Sequence, residues 1–246
     1  MFRRRLLLAG GTAGLVSTSP ALAQRLNPAF SVSPTRLDLS DRARGDVLRV
    51  TSEADQPLRV QVRLRAWRQA EAGPEFEITD ELIASPPQAL IEPGRSQVIR
   101  VVADRLQPQE VEQAFRLFVT QLPEGRPGGR LAISTMLEVS LPVFFAPRSG
   151  ARAAVLDASV RLMGRRAVLE LRNRGDINAR LSEVRLSRGG ATVAQVPGLL
   201  GYVLPRSQAS FVVDLSTALR LGDSLVLEAA TWSGPRLTID GVRVTA

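Results

Sequence analysis

The segment LAISTMLEVSLPVFF, residues 131–145, sets an apolar row at every second position. Leu131, Ile133, Leu137, Val139, Leu141, Val143 and Phe145 fall on one face, with Thr135 in the same row, while Ala132, Ser134, Glu138, Ser140 and Pro142 fall on the other. Successive side chains of a strand point to opposite faces, so the run reads as β-structure with one buried side. At about 15 residues it is far longer than the ~5–6 residues usual for a strand. Two readings fit that length: a long core strand, or an edge strand whose apolar row is only partly covered at home. Pro142 favours the edge, because proline has no N–H to give to a second neighbour. An open apolar edge must be blunted, or it serves as a docking site for another chain.

Working outward, residues 47–51, 58–67, 97–103 and 114–121 carry Val, Ile, Leu and Phe at period two or in short runs. Glu53-Ala54-Asp55-Gln56-Pro57, Ser85-Pro86-Pro87, Glu92-Pro93-Gly94 and the stretch 123–129 lie between them and supply turn chemistry. No stretch after the leader combines a helical period with caps. Pro147-Arg148-Ser149-Gly150 reads as a hinge. The pattern then restarts at 155–162, 167–173, 179–187, 191–196, 210–215 and 224–231. The expected architecture is all-β, two sandwiches joined by a short linker, one over residues 24–147 and one over 148–246.

Composition removes whole classes of chemistry. The chain has 246 residues with 32 basic and 24 acidic side chains and no histidine or cysteine, and every basic residue is arginine. Without His, Cys and Lys there is no imidazole base, thiolate nucleophile, Schiff base or P-loop lysine. Zinc and transition metals lose their usual ligands, and Asp and Glu are dispersed without the spacing of a calcium loop. No metal, cofactor or small-molecule substrate is expected. Residues 1–23 read as a secretory signal: Arg3-Arg4-Arg5, a short apolar stretch over 6–16, and the small-x-small site Ala21-Leu22-Ala23. Cleavage near Ala23 by either the general secretory or the twin-arginine route leads to the periplasm. The remaining 29 arginines against 24 acids are scattered at strand-like spacing with few aromatics, which argues against nucleic acid as partner.

A further set of stretches is similar to the periplasmic pilus-assembly (chaperone–usher) chaperones of the PapD type. In chain order they are Ser33-Pro34-Thr35-Arg36, Ser85-Pro86-Pro87, Ile91-Glu92-Pro93-Gly94, Val98-Ile99-Arg100, Phe115-Arg116-Leu117-Phe118, Leu122-Pro123 and the closing Leu141-Pro142-Val143-Phe144-Phe145-Ala146-Pro147. The resemblance covers roughly residues 30–148. It implies two immunoglobulin-like domains set at an angle and a non-enzymatic chaperone. Such a chaperone binds pilin or fimbrial subunits that lack a strand, lends them its own edge strand, and delivers them to an outer-membrane usher. By that matching, Leu131, Ile133, Leu137 and Val139 form the donor row with Thr135 a weaker member, and residues 124–130 form the loop leading into it. Self-association of the free chaperone through the same edge is a further expectation.

The family also grips the subunit's C-terminal carboxylate with a basic pair. Arg36 matches the first member, but the position of the usual lysine is Pro142, and the arginine usual before the closing proline is Ala146. These departures are reminiscent of a divergent branch serving spore-coat-like pili. Arg116, inside an apolar strand, is the alternative anchor, since a buried arginine needs a carboxylate to offset desolvation. Arg100 reads as a surface arginine. Two rival functions remain. One is a pilin-like structural protein, against which the two domains and the late edge strand count. The other is a hydrolase using Glu75 and Glu77, whose neighbours Gly73-Pro74 suggest a hairpin near solvent.

Overall fold

The computed structural model describes residues 29–71, 73–123, 136–232 and 234–246. Leu131, Ile133 and Thr135, like the loop 124–130 and the leader, lie outside them. The described chain forms strands β1 (Phe30–Ser33), β2 (Leu37–Leu39), β3 (Gly45–Ser52), β4 (Leu58–Ala70), β5 (Gly73–Ile78), β6 (Leu82–Ser85), β7 (Gln88–Ile91), β8 (Ser96–Ala103), β9 (Gln113–Gln121) and β10 (Glu138–Phe145). After the expected hinge come β11 (Leu156–Met163), β12 (Arg166–Asn173), β13 (Ala179–Arg188), β14 (Ala191–Val203), β15 (Gln208–Asp214), β16 (Ser224–Ala230) and β17 (Leu237–Thr245). The described residues contain no helix.

The first unit packs the sheet β1-β3-β8-β6 on the sheet β2-β10-β9-β4-β5, with β7 also on β4. The chain changes sheets at Ser33-Pro34, between β1 and β2, and at Ser85-Pro86, between β6 and β7, and both peptide bonds are cis. A residue without an N–H suits a point where the chain leaves one ladder for another. Between the sheets lies one apolar core built by period-two alternation, including Leu48 and Val50, Ile99 and Val101, Phe115, Leu117 and Val119, and Leu141, Val143 and Phe145.

The second unit follows one hydrogen-bonded path, β14-β13-β16-β17-β11-β12-β15. Two antiparallel layers are joined by a parallel pairing of only Ser159–Arg161 with Arg243–Thr245. Its own core includes Val160, Leu169, Leu171, Leu181, Leu186, Leu225, Leu227, Val242 and Val244. Gly201 on β14 lies against Phe211 of β15, where an added Cβ would come 2.5 Å from the ring.

The joint between the units is partly apolar and partly polar. Trp67, Phe144, Tyr202 and Leu204 form a small buried cluster with ring centroids 5.7–6.2 Å apart. The Gln69 side chain donates to Tyr202 O at 2.7 Å and accepts from Leu204 N at 2.8 Å. Glu112 Oε2 accepts from both Asn178 N (2.8 Å) and Asn178 Nδ2 (2.6 Å). Each is a two-point clamp from one unit onto the other, Gln69 onto backbone alone and Glu112 onto both the backbone and the side chain of Asn178, a geometry that fixes orientation as well as distance.

Candidate functional site

The strand β10 is an edge along half its length. It pairs antiparallel with β9 over all of Glu138–Phe145, yet β2 covers its other side only at Val143–Phe145. From Glu138 to Pro142 nothing else among the described residues pairs with it, and Pro142 stands where the second pairing ends. Val139 and Leu137 point toward the first core without closing it, and both are only partly buried. Leu137 itself precedes the strand, its carbonyl accepting from Gln121 N at 2.9 Å. The outward side chain Glu138 is tied down by Thr120 Oγ1 (2.5 Å) and Arg63 Nη2 (2.9 Å).

The open half of β10 runs into a cleft of about 740 Å³ between the two units, lined by residues of both. Arg36, Trp67 and Arg116 come from the first unit, and Arg180, Tyr202 and Trp232 from the second. Strand register explains the first wall. Phe115, Leu117 and Val119 of β9 fill the core, so Arg116 faces out between its cross-strand partners Arg65 on β4 and Pro142 on β10. Arg116 thus stands directly across the ladder from Pro142, where the open half of β10 ends.

The two expected anchors differ sharply in how they are engaged. Arg36 is already paired: its Nε lies 2.8 Å from both oxygens of Asp38 and one Nη 2.6 Å from one of them. Its side chain is 11% exposed and packs over the Phe144 ring at 4.5 Å. Arg116 has no carboxylate partner among the described residues. Its Cζ lies 3.9 Å from the Trp67 centroid and 5.8 Å from that of Tyr202. Its Nε is buried with no hydrogen-bond acceptor, and so is Trp67 Nε1. Burial lowers the Arg116 pKa, an effect the neighbouring Tyr202 partly opposes, while the guanidinium stays protonated. Unpaired buried donors are costly, so two of them on residues lining one cleft mark a place where an acceptor is missing.

Other expectations fall elsewhere. Arg100 is exposed on β8 of the opposite sheet. Glu75 and Glu77 are exposed on β5, the second strand of a hairpin with β4, and Glu77 faces Arg68 at 3.4 Å. Sequence reasoning passed over Trp67, Arg180, Tyr202 and Trp232. The usable signal for Trp67 was its place at the end of the outward row Arg63, Arg65, Trp67 on β4, where an aromatic on a charged face wants a partner.

Comparison with known proteins gives the family and the fold. The family model described as pili and flagellar-assembly chaperone, PapD N-terminal domain, matches residues 29–151. The chaperone protein FimB/FhaD of Bordetella pertussis is 26% identical over 213 residues, covering 81% of this chain and 83% of that protein. Among solved structures, a chain of the CsuC–CsuE chaperone–tip adhesion subunit complex of Acinetobacter baumannii archaic Csu pili matches with a TM-score of 0.64. It is 24% identical, and the match covers 89% of this chain and all of that one (100%). The Pseudomonas aeruginosa CupB2 chaperone has a TM-score of 0.55 at 20% identity, covering 87% of this chain and 100% of its own. These matches, on a chain of two all-β units, place the molecule in a non-enzymatic class of assembly chaperones. The chain belongs to the pili and flagellar-assembly chaperone family.

Proposed function

We propose that this chain acts in the periplasm, after removal of a leader near Ala23, by lending the open half of β10 to pilin subunits that lack a strand and passing them to an outer-membrane usher. The observation that carries the reading is the edge itself: a regular strand with one bare side from Glu138 to Pro142, leading into a cleft with unpaired buried donors. The backbone of that half supplies a ladder, while Leu137 and Val139 supply inward apolar side chains. By sequence alternation Leu131, Ile133 and Thr135 continue the row. Each fully buried aliphatic side chain contributes about 1.5–3 kcal/mol, so a few of them give a strong grip. Arg116 is the better anchor for a subunit's C-terminal carboxylate because its Nε has no partner, whereas Arg36 is spent on Asp38. The same edge, left empty, pairs two free chaperones.

Co-expression in the periplasm with the small exported proteins encoded beside the gene, followed by capture of this chain, tests the reading. A 1:1 complex is expected, and Leu137→Arg is expected to abolish it while leaving the circular dichroism and melting of the chaperone unchanged. A variant that still holds a subunit soluble would remove Leu137 from the donor row.

A further inference from the structure

On β4, β5, β9 and β10 the residues that turn away from the first core form one continuous face. Cross-strand register sets Ile78 against Arg65 and Phe76 against Trp67, so both apolar residues of β5 lie on this face while Glu75 and Glu77 point the other way. Phe118 of β9, which faces Arg63 of β4, joins them: its ring meets that of Phe76 edge to face, with centroids 5.4 Å apart. Ile78 is 85% exposed and Phe76 42%. Arginines frame the patch. Arg63 is held by Glu138 at 2.9 Å, whereas Arg65 and its cross-strand neighbour Arg116 have no carboxylate partner among the described residues. Glu138, already tied down by Arg63 and Thr120, is the one carboxylate at the outward positions of these four strands among the described residues.

We propose that this face is a second contact surface for the client subunit, one that takes an apolar projection flanked by acidic side chains and so discriminates among clients by their surface. The proposal rests on the chaperone reading above and adds to it a recognition step outside the strand row. Large apolar side chains grouped in the open, as distinct from single scattered ones, mark interaction sites on soluble chains. Aromatic residues and arginines side by side are the composition from which most binding energy at interfaces comes. The patch is continuous with the bare side of β10: β9 lies next to that strand and β5 two strands further, about 15 Å away at the usual strand spacing. Between the edge and the patch stand Glu138, Ser140 and Pro142, and the short Ser140 and Pro142 leave room for a partner's body to lie over the sheet. A second copy of this chain is a poor occupant, because a two-fold contact would set Arg65 and Arg116 against their own copies. A partner with acids beside its apolar side chain gains from those same charges.

Competition between chaperones tests the proposal. Wild-type and variant chains carrying different tags are co-expressed with the subunit that the wild type retains in the co-expression described above, and the two complexes are quantified. Ile78→Asp alters an open position, so the free variant should melt with the wild type, yet it should hold about one complex for every ten of the wild type, as failure to bury one aliphatic side chain implies. Arg65→Glu should show a bias of the same sign, and Arg65→Lys, which keeps the charge, much less of one. Ile83→Asp is the matched control: Ile83 is 48% exposed on β6 of the opposite sheet, and its variant should share the subunit equally with the wild type. Equal sharing by Ile78→Asp, while Leu137→Arg still loses the subunit, would overturn this face and leave the strand-lending reading in place. A bias from Ile83→Asp as large as that from Ile78→Asp would make the effect one of general surface charge and overturn it too. If Ile78→Asp changes the sedimentation of the free chain and not its share of the subunit, the occupant is a second copy. Absence of any complex with the wild type removes both proposals together.

Discussion

The last strand of each unit occupies the same place, and the two are finished in opposite ways. β10 lies between β9 and a three-residue parallel contact with β2, and β17 between β16 and a three-residue parallel contact with β11. Among the described residues, both are left bare on one side over their first half. In β17 that half ends in a bulge: Asp240 and Gly241 together face Val226, and Gly241 takes a φ of 69°. A bulge with a charge on it twists an edge away from any would-be partner. In β10 the corresponding register, Val139 to Leu141 against Leu117 to Val119, is regular throughout. One fold thus carries a blunted edge and an open one, and the difference resides in a single inserted residue.

The largest effect should come from moving the bulge. Inserting a glycine after Ser140, with Ser140→Asp, would set two residues against Phe118 as Asp240 and Gly241 are set against Val226. Val139 and Leu141 keep their inward faces, so the first core survives. Subunit capture is expected to fall by about a hundredfold or more, as losing several buried contacts and ladder bonds implies. Capture at the unmodified level would detach function from edge regularity. The reverse change, deletion of Gly241, leaves Asp240 facing Val226 alone and keeps Ile239 and Val242 inward. It is expected to turn the second edge into a template for self-pairing, read as concentration-dependent dimers by sedimentation. A strictly monomeric variant would show that the bulge is not what protects β17.

That bulge also explains what the sequence hid. In LTIDGVRVT the inward positions change parity between Ile239 and Val242, so the period-two signal breaks and β17 could not be read. The missed strands β1, β2, β6 and β7 have four residues or fewer and flank the Ser-Pro switches, too short for a period to register. The long alternating strands were legible because each buries one face. The cleft was legible by half. Arg36 is marked by its Ser-Pro-Thr-Arg stretch, and Arg116 stands out as a charge in an apolar run. Arg180 does not, since its meaning comes from Tyr202 across the ladder and from a wall that only the packing of the two units creates.

If the edges carry the function, the joint between the units should influence stability more than capture, and Glu112 allows that to be tested with the smallest change. Burial raises its pKa above the ordinary 4.5, with the Asn178 hydrogen bonds and the Arg36 charge acting against the shift and Asp38 adding to it. The folded chain therefore holds this proton more tightly than the unfolded one. Its contribution to stability is full below about pH 4.5 and is lost as pH rises through the folded value. Asp176 behaves in the opposite sense: hydrogen bonds from Arg152 above all, and from Arg206, hold its carboxyl well below the usual range, so it titrates outside this window. Glu112→Gln keeps an oxygen for Asn178 and removes the charge. As pH rises from about 4.5 through the folded value, the variant should lose the downward slope of melting temperature with pH that Glu112 gives the wild type. At neutral pH, where the folded chain would otherwise hold a buried charge there, it should melt at a higher temperature than the wild type. Subunit capture should be unchanged. A retained slope would assign the pH dependence to another group, and a loss of capture would mean that the joint, and not the edge alone, selects the client.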